Sequence, residues 1–126
     1  MDFRTLMEDA SKIMDGTFSE YDDKTTVIIV PVDEHRFQTV FAHNEDGDGI
    51  KFNSKACDPV NELPYKKLIN DNSNHKYARL EIENDVLYVT SRSLPGSEPE
   101  GVAKMLLEIG KVADSWELEL TGQDVN

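Results

Sequence analysis

The sequence predicts an α+β domain: a five-stranded antiparallel sheet in the element order α-β-β-β-α-β-β-α, with the helices packed mainly on one face. Three observations carry this. Apolar residues repeat at helical spacing near both ends of the chain, β-branched or alternating segments lie between them, and clusters of Asn, Asp, Gly and Pro separate those segments.

The first helix covers residues 2 to 15, where Phe3, Leu6, Met7, Ala10, Ile13 and Met14 line one side at three-and-four spacing. Asp2 caps its start, Glu8, Asp9 and Lys12 occupy the wet side, and Gly16 stops it. The first strand follows at Thr25 to Val32, with Val27, Ile28, Ile29 and Val30 apolar at consecutive positions and hence greasy on both faces. The second runs from Arg36 to His43. Phe37, Thr39 and Phe41 point one way along it, and Gln38, Val40 and Ala42 the other.

The stretch Asn44 to Gly49 suits a turn, since its glycines and short acids tolerate positive backbone angles. A third strand then carries Ile50, Phe52 and Ser54 on one face and Lys51, Asn53 and Lys55 on the other, until Asp58-Pro59 breaks it. A short helix starts near Pro64, with Tyr65, Leu68 and Ile69 inward, and ends in the run Asn70 to Asn74. A hairpin occupies Tyr77 to Ser91: Ala78, Leu80 and Ile82 face in, Asn84-Asp85 turns, and Leu87 and Val89 face in on the return. After a loop with Pro95, Gly96 and Pro99, a long final helix repeats Val102, Met105, Leu106, Ile109, Val112, Ala113 and Trp116 at helical spacing. Gly110 inside it points to close packing against a neighbour. Residues 1 to 120 are expected to form a single domain, and 121 to 126 a disordered tail.

Composition bounds the function. A chain of 126 residues buries roughly two thirds of its unfolded surface and needs no staples. With 13 basic and 25 acidic residues its formal charge is −12, which repels the phosphates of nucleic acid and of anionic membranes. Cys57 is the single cysteine, so no internal disulfide forms, and Val27 to Val32 is too short to span a bilayer. Cytoplasmic residence is the default expectation.

Motifs for chemistry are weak. Asn44, Asp46, Asp48 and Gly49 fall at the first, third, fifth and sixth positions of a calcium loop, but the twelfth position is Lys55 and a strand follows instead of a helix. An ordinary acidic turn accounts for that loop. His35, His43 and His75 show no metal-ligand spacing, and Cys57 has no activating motif around it. No nucleophile elbow, phosphate loop or dinucleotide fingerprint is present, so no catalytic, cofactor-binding or metal residue is assigned and no cofactor is expected.

The surplus of apolar side chains on the first two strands remains, and a sheet covered on one side leaves it facing water. Val27, Ile29, Phe37, Phe41, Tyr77 and Tyr88 are the candidates for this second face, and either parity of the first strand satisfies the pattern. An identical subunit, a bound protein segment, or a loop or tail of the chain itself can cover it.

The asparagine-rich turn at Asn70 to Asn74, Tyr77-Ala78-Arg79-Leu80, the Asp85 hairpin with Leu87 and Val89, Leu94-Pro95 and the apolar last helix together form a pattern with a known counterpart. From Phe3 to Leu118 the chain resembles the YbjN-type, type III secretion chaperone-like domains, small acidic proteins with the same order of elements. The resemblance implies a non-enzymatic dimer that holds protein segments along helix and strand surfaces, and it carries no catalytic or client-binding residue onto this chain. The expectation is therefore a protein-binding module, chaperone-like or regulatory, acting as a homodimer, with a protein client or an identical subunit as partner. The competing readings are an enzyme with a site assembled from scattered residues and a divalent-metal binder using residues 44 to 49.

Overall fold

Asp2 opens helix α1 (Phe3–Ile13), its Oδ1 accepting the Thr5 N–H at 2.8 Å, and that bond holds the Asp2 carboxyl below its ordinary range. Leu6, Met7, Ala10 and Met14 are buried, whereas Ile13, expected inward, is 51% exposed. The helix ends at a left-handed Asp15, after which the Gly16 N–H reaches back to the Ser11 carbonyl at 2.8 Å. The structure, a computed structural model, describes residues 2–58, 62–94 and 96–121. Pro59, Pro95 and the expected tail beyond Thr121 lie outside the described residues.

Three strands follow in antiparallel sequence: β1 (Thr17–Asp22), β2 (Thr25–Pro31) and β3 (Phe37–Asn44). A turn at Asp46–Asp48 leads into β4 (Ile50–Lys55), then come helix α2 (Tyr65–Asp71) and the hairpin β5 (Arg79–Glu83) and β6 (Val86–Ser93). Helix α3 (Pro99–Thr121) closes the chain. The sheet is antiparallel throughout and has six strands in the order β1-β2-β3-β4-β6-β5.

The expected five strands omit β1, so the element order is α-β-β-β-β-α-β-β-α. The reason is physical: β1 is an edge strand, exposed at nearly every position, and a bulge between Glu20 and Asp22 breaks its alternation. No half-buried period-two signal is written into such a strand.

One face of the sheet carries the core. Ile28 and Val30 of β2, Val40 and Ala42 of β3, Phe52 of β4 and Leu87 and Val89 of β6 are all buried, and α1 and α3 lie across them. All seven apolar positions expected on the inner side of α3 are buried. Gly110 is where α3 comes closest to the sheet: a Cβ there would stand 2.8 Å from Val30 Cγ1. In α2 only Leu68 turns inward; Tyr65 and Ile69, expected to join it, are 53% and 72% exposed. This helix has just seven residues and lies at the margin of the domain, where one buried leucine anchors it. Asn72, just past its end, covers one point of the β5 edge, where its Oδ1 accepts the Leu80 N–H at 2.9 Å.

Polar contacts fix the middle of α3. The Glu108 carboxylate accepts the backbone N–H groups of Lys76, Tyr77 and Ala78 at 2.9, 2.5 and 2.8 Å. Partial burial pushes its pKa up, the three backbone bonds outweigh that, and the net direction is down. Nearer the C-terminus, buried Asp114 accepts Arg36 Nε at 3.0 Å and ties α3 to the β2–β3 connection, where Asp33 Oδ1 also receives the Arg36 N–H at 2.9 Å. No helix among the described residues is long and apolar enough to cross a membrane.

Candidate functional site

The pleat that sends Ile28, Val30, Val40 and Ala42 into the core sends the alternate side chains of β2 and β3 to the opposite face. Val27 therefore stands across from Phe41, Ile29 from Thr39, and Pro31 from Phe37. Phe37 is 48% and Phe41 37% exposed, while Val27 and Ile29 are half-buried by their neighbours. Of the two parities left open for the first expected strand, the structure has Val27 and Ile29 outward.

Tyr88 lies on the same outer face, opposite Lys55 on β4. Tyr77 does not. It precedes β5, its N–H is held by Glu108, its carbonyl accepts Ser91 Oγ at 3.0 Å, and its ring packs against the core with the Lys76 ammonium 5.2 Å from its centroid. The structure adds a residue that sequence reasoning missed. Tyr21, at the β1 bulge, meets Phe41 edge-on with centroids 6.2 Å apart, so the outer apolar patch runs across β1, β2 and β3. Only the spacing of Phe18 and Tyr21 hints at it, and the bulge disguises that spacing.

Charge on this face is unusual for the chain. The outward positions of the four central strands are Thr25, Val27, Ile29 and Pro31 on β2, Phe37, Thr39, Phe41 and His43 on β3, Lys51, Asn53 and Lys55 on β4, and Val86, Tyr88, Thr90 and Arg92 on β6. None is a carboxylate, although the chain has 25. Lys51, Lys55 and Arg92 make the β4–β6 half cationic, with Lys55 and Arg92 paired at the rim to Asp58 and Glu45. Acids appear on the face at its two margins, Asp22 on β1 and Glu81 and Glu83 on β5. The face thus joins an apolar half to a half of mixed charge in which Lys51 stands among the paired cations.

The other candidates are placed as structural elements. In the 44–49 loop Asn44 Oδ1 accepts the Asp46 N–H at 3.0 Å, and the Asp46 carboxylate takes Lys24 Nζ at 2.7 Å. A Cβ on Gly49, whose φ is +92°, would collide with the Ser93 carbonyl at 2.0 Å, so the loop is clamped onto β6. His43 Nδ1 lies 2.8 Å from Thr25 Oγ1, and His75 Nε2 lies 3.0 Å from Asp71 Oδ2. Among the described residues no three His, Cys, Asp or Glu side chains gather as a metal site. Cys57 is buried, and burial pushes its thiol upward, away from the thiolate a nucleophile requires.

No protein-family model matches the chain, and no curated protein matches it significantly.

Proposed function

We propose that the protein is a non-enzymatic protein-binding module of the secretion-chaperone-like kind, and that it works as a homodimer built on the outer face of its sheet. One observation carries the reading: β2 and β3 turn Val27, Ile29, Phe37 and Phe41 away from the core, on a face whose central strands hold no carboxylate. Exposed aromatic and β-branched side chains in one patch favour burial against another chain. Two copies of a −12 protein repel one another through most of their surfaces, and this face is where they can approach.

The register supports a second copy as the occupant. Asp22, Thr25, His43 and Lys51 stand in one row across the sheet. A two-fold axis between β2 and β3, parallel to the strands, stacks the apolar half of one sheet on that of the other. It also brings Lys51 opposite Asp22 of the partner subunit.

Light scattering coupled to gel filtration tests the proposal. Phe37→Glu with Phe41→Glu converts the dimer to monomer, while Ile69→Glu, at a more exposed apolar residue away from this face, leaves it dimeric. A double variant with unchanged mass contradicts the assignment.

A further inference from the structure

We propose that the groove along α3 binds an extended acidic peptide with apolar residues between its carboxylates. Leu107, Val112 and Trp116 form the floor of a cleft of about 530 Å³, bounded by Lys104, Lys111 and the Asp71–His75 segment. A second cleft shares Asp71, Ser115 and Trp116 with it and continues to Glu119. From Lys104 to Glu119 the helix rises roughly 22 Å, the length of about six or seven extended residues. A groove of that length suits a polypeptide segment better than a compact small molecule.

Charge sets the sign of the ligand. Asp71 Oδ2 accepts Trp116 Nε1 at 2.8 Å and contacts His75 Nε2 at 3.0 Å. Glu108 is filled by three backbone N–H groups, and Glu119 is paired with Lys67. Asp71 and Glu108 stay ionised, but all three carboxylates are turned to their own donors, which leaves the lysine heads as the groups free to meet a ligand. Lys104 and Lys111 have neither an ion pair nor a side-chain hydrogen bond among the described residues, and they lie two helical turns apart, about 10 Å. Carboxylates three residues apart on a polyproline-II-like extended segment lie on one side of it, about 9 Å apart at about 3.1 Å per residue, and a side chain between them can reach the apolar floor. This surface is separate from the outer sheet face, so it goes beyond the proposed dimer.

Trp116, the single tryptophan, lies in the floor and reports directly. The probe is an end-blocked Glu-Leu-Val-Glu peptide, with Lys-Leu-Val-Lys as control, titrated against the full chain and followed by Trp116 emission and by amide NMR shifts along residues 104 to 116. We expect saturable binding of the acidic peptide only, weakened about tenfold by Lys104→Ala with Lys111→Ala, at unchanged circular dichroism and unchanged oligomeric mass. The proposal is overturned if neither signal moves up to the solubility limit of the peptide, if the lysine peptide binds as well, or if the double variant binds like the parent. Loss of the dimer with peptide binding intact would overturn the sheet-face reading alone.

Discussion

Tyr21 stands edge-on to Phe41, ring planes 83° apart and centroids 6.2 Å apart, joining the edge strand to the exposed centre of the outer face. An edge-to-face pair contributes about 0.5–1.5 kcal/mol beyond its buried area. Because Tyr21 is 71% exposed, the lower end applies to the isolated subunit. Tyr21→Ala is therefore expected to cost about 0.5 kcal/mol in urea unfolding of dilute Phe37→Glu, a variant that keeps Phe41. In the parent it weakens dimerisation by a larger factor, read by dilution in sedimentation velocity.

The row from Asp22 to Lys51 yields a charge test. Lys51→Glu places like charges across the proposed two-fold axis and weakens the dimer, and adding Asp22→Lys to the same chain restores it. Recovery of the dimer in the double variant, measured by light scattering, checks the placement of the axis. Equal association in all three proteins contradicts it.

Gly110→Ala sets two effects against each other. Alanine favours a helix interior by about 1 kcal/mol, but its Cβ would stand 2.8 Å from Val30 Cγ1 and 3.4 Å from Val32 Cγ1. Overpacking of that kind costs typically about 1–3 kcal/mol, so net destabilisation of roughly 1 kcal/mol is expected by urea titration. Within a Val30→Ala background, which has its own cavity cost but no clash, Gly110→Ala is expected to stabilise.

Glu108 governs part of the acid limb. Its folded pKa is depressed below the ordinary 4.5, so its contribution is complete above that pH and is lost as pH falls through the folded value. Glu108→Gln should flatten the fall in thermal stability below pH 4.5. Glu108→Ala leaves the N–H groups of residues 76 to 78 without their acceptor and costs about 3 kcal/mol at neutral pH. An acid limb of the same slope in the Gln variant would count against this role.

How far the sequence discloses the molecule depends on how local each determinant is. The final helix is legible because a 3.6-residue pattern persists over its whole length, and the 84–85 turn because Asn84 and Asp85 both adopt positive φ, at 52° and 63°. The outer residues Val27, Ile29, Phe37, Phe41 and Tyr88 follow from strand parity, although the parity of the first expected strand needed the register to decide it. Tyr77 departs from the outer face because the chain before β5 is held by Glu108, 31 residues away, and no local pattern encodes that bond. The α3 groove is illegible for the same reason: Asp71 and Trp116 are 45 residues apart. Strand β1 is hidden by its own exposure, since an edge strand wet on both faces has no apolar alternation to read.

In the proposed dimer a second copy of the chain covers the outer face of the sheet. Sedimentation equilibrium of the unmodified protein across a wide concentration range measures this directly. The proposed dimer gives a species of twice the chain mass that dissociates only on strong dilution. A single-chain mass at every concentration would contradict it.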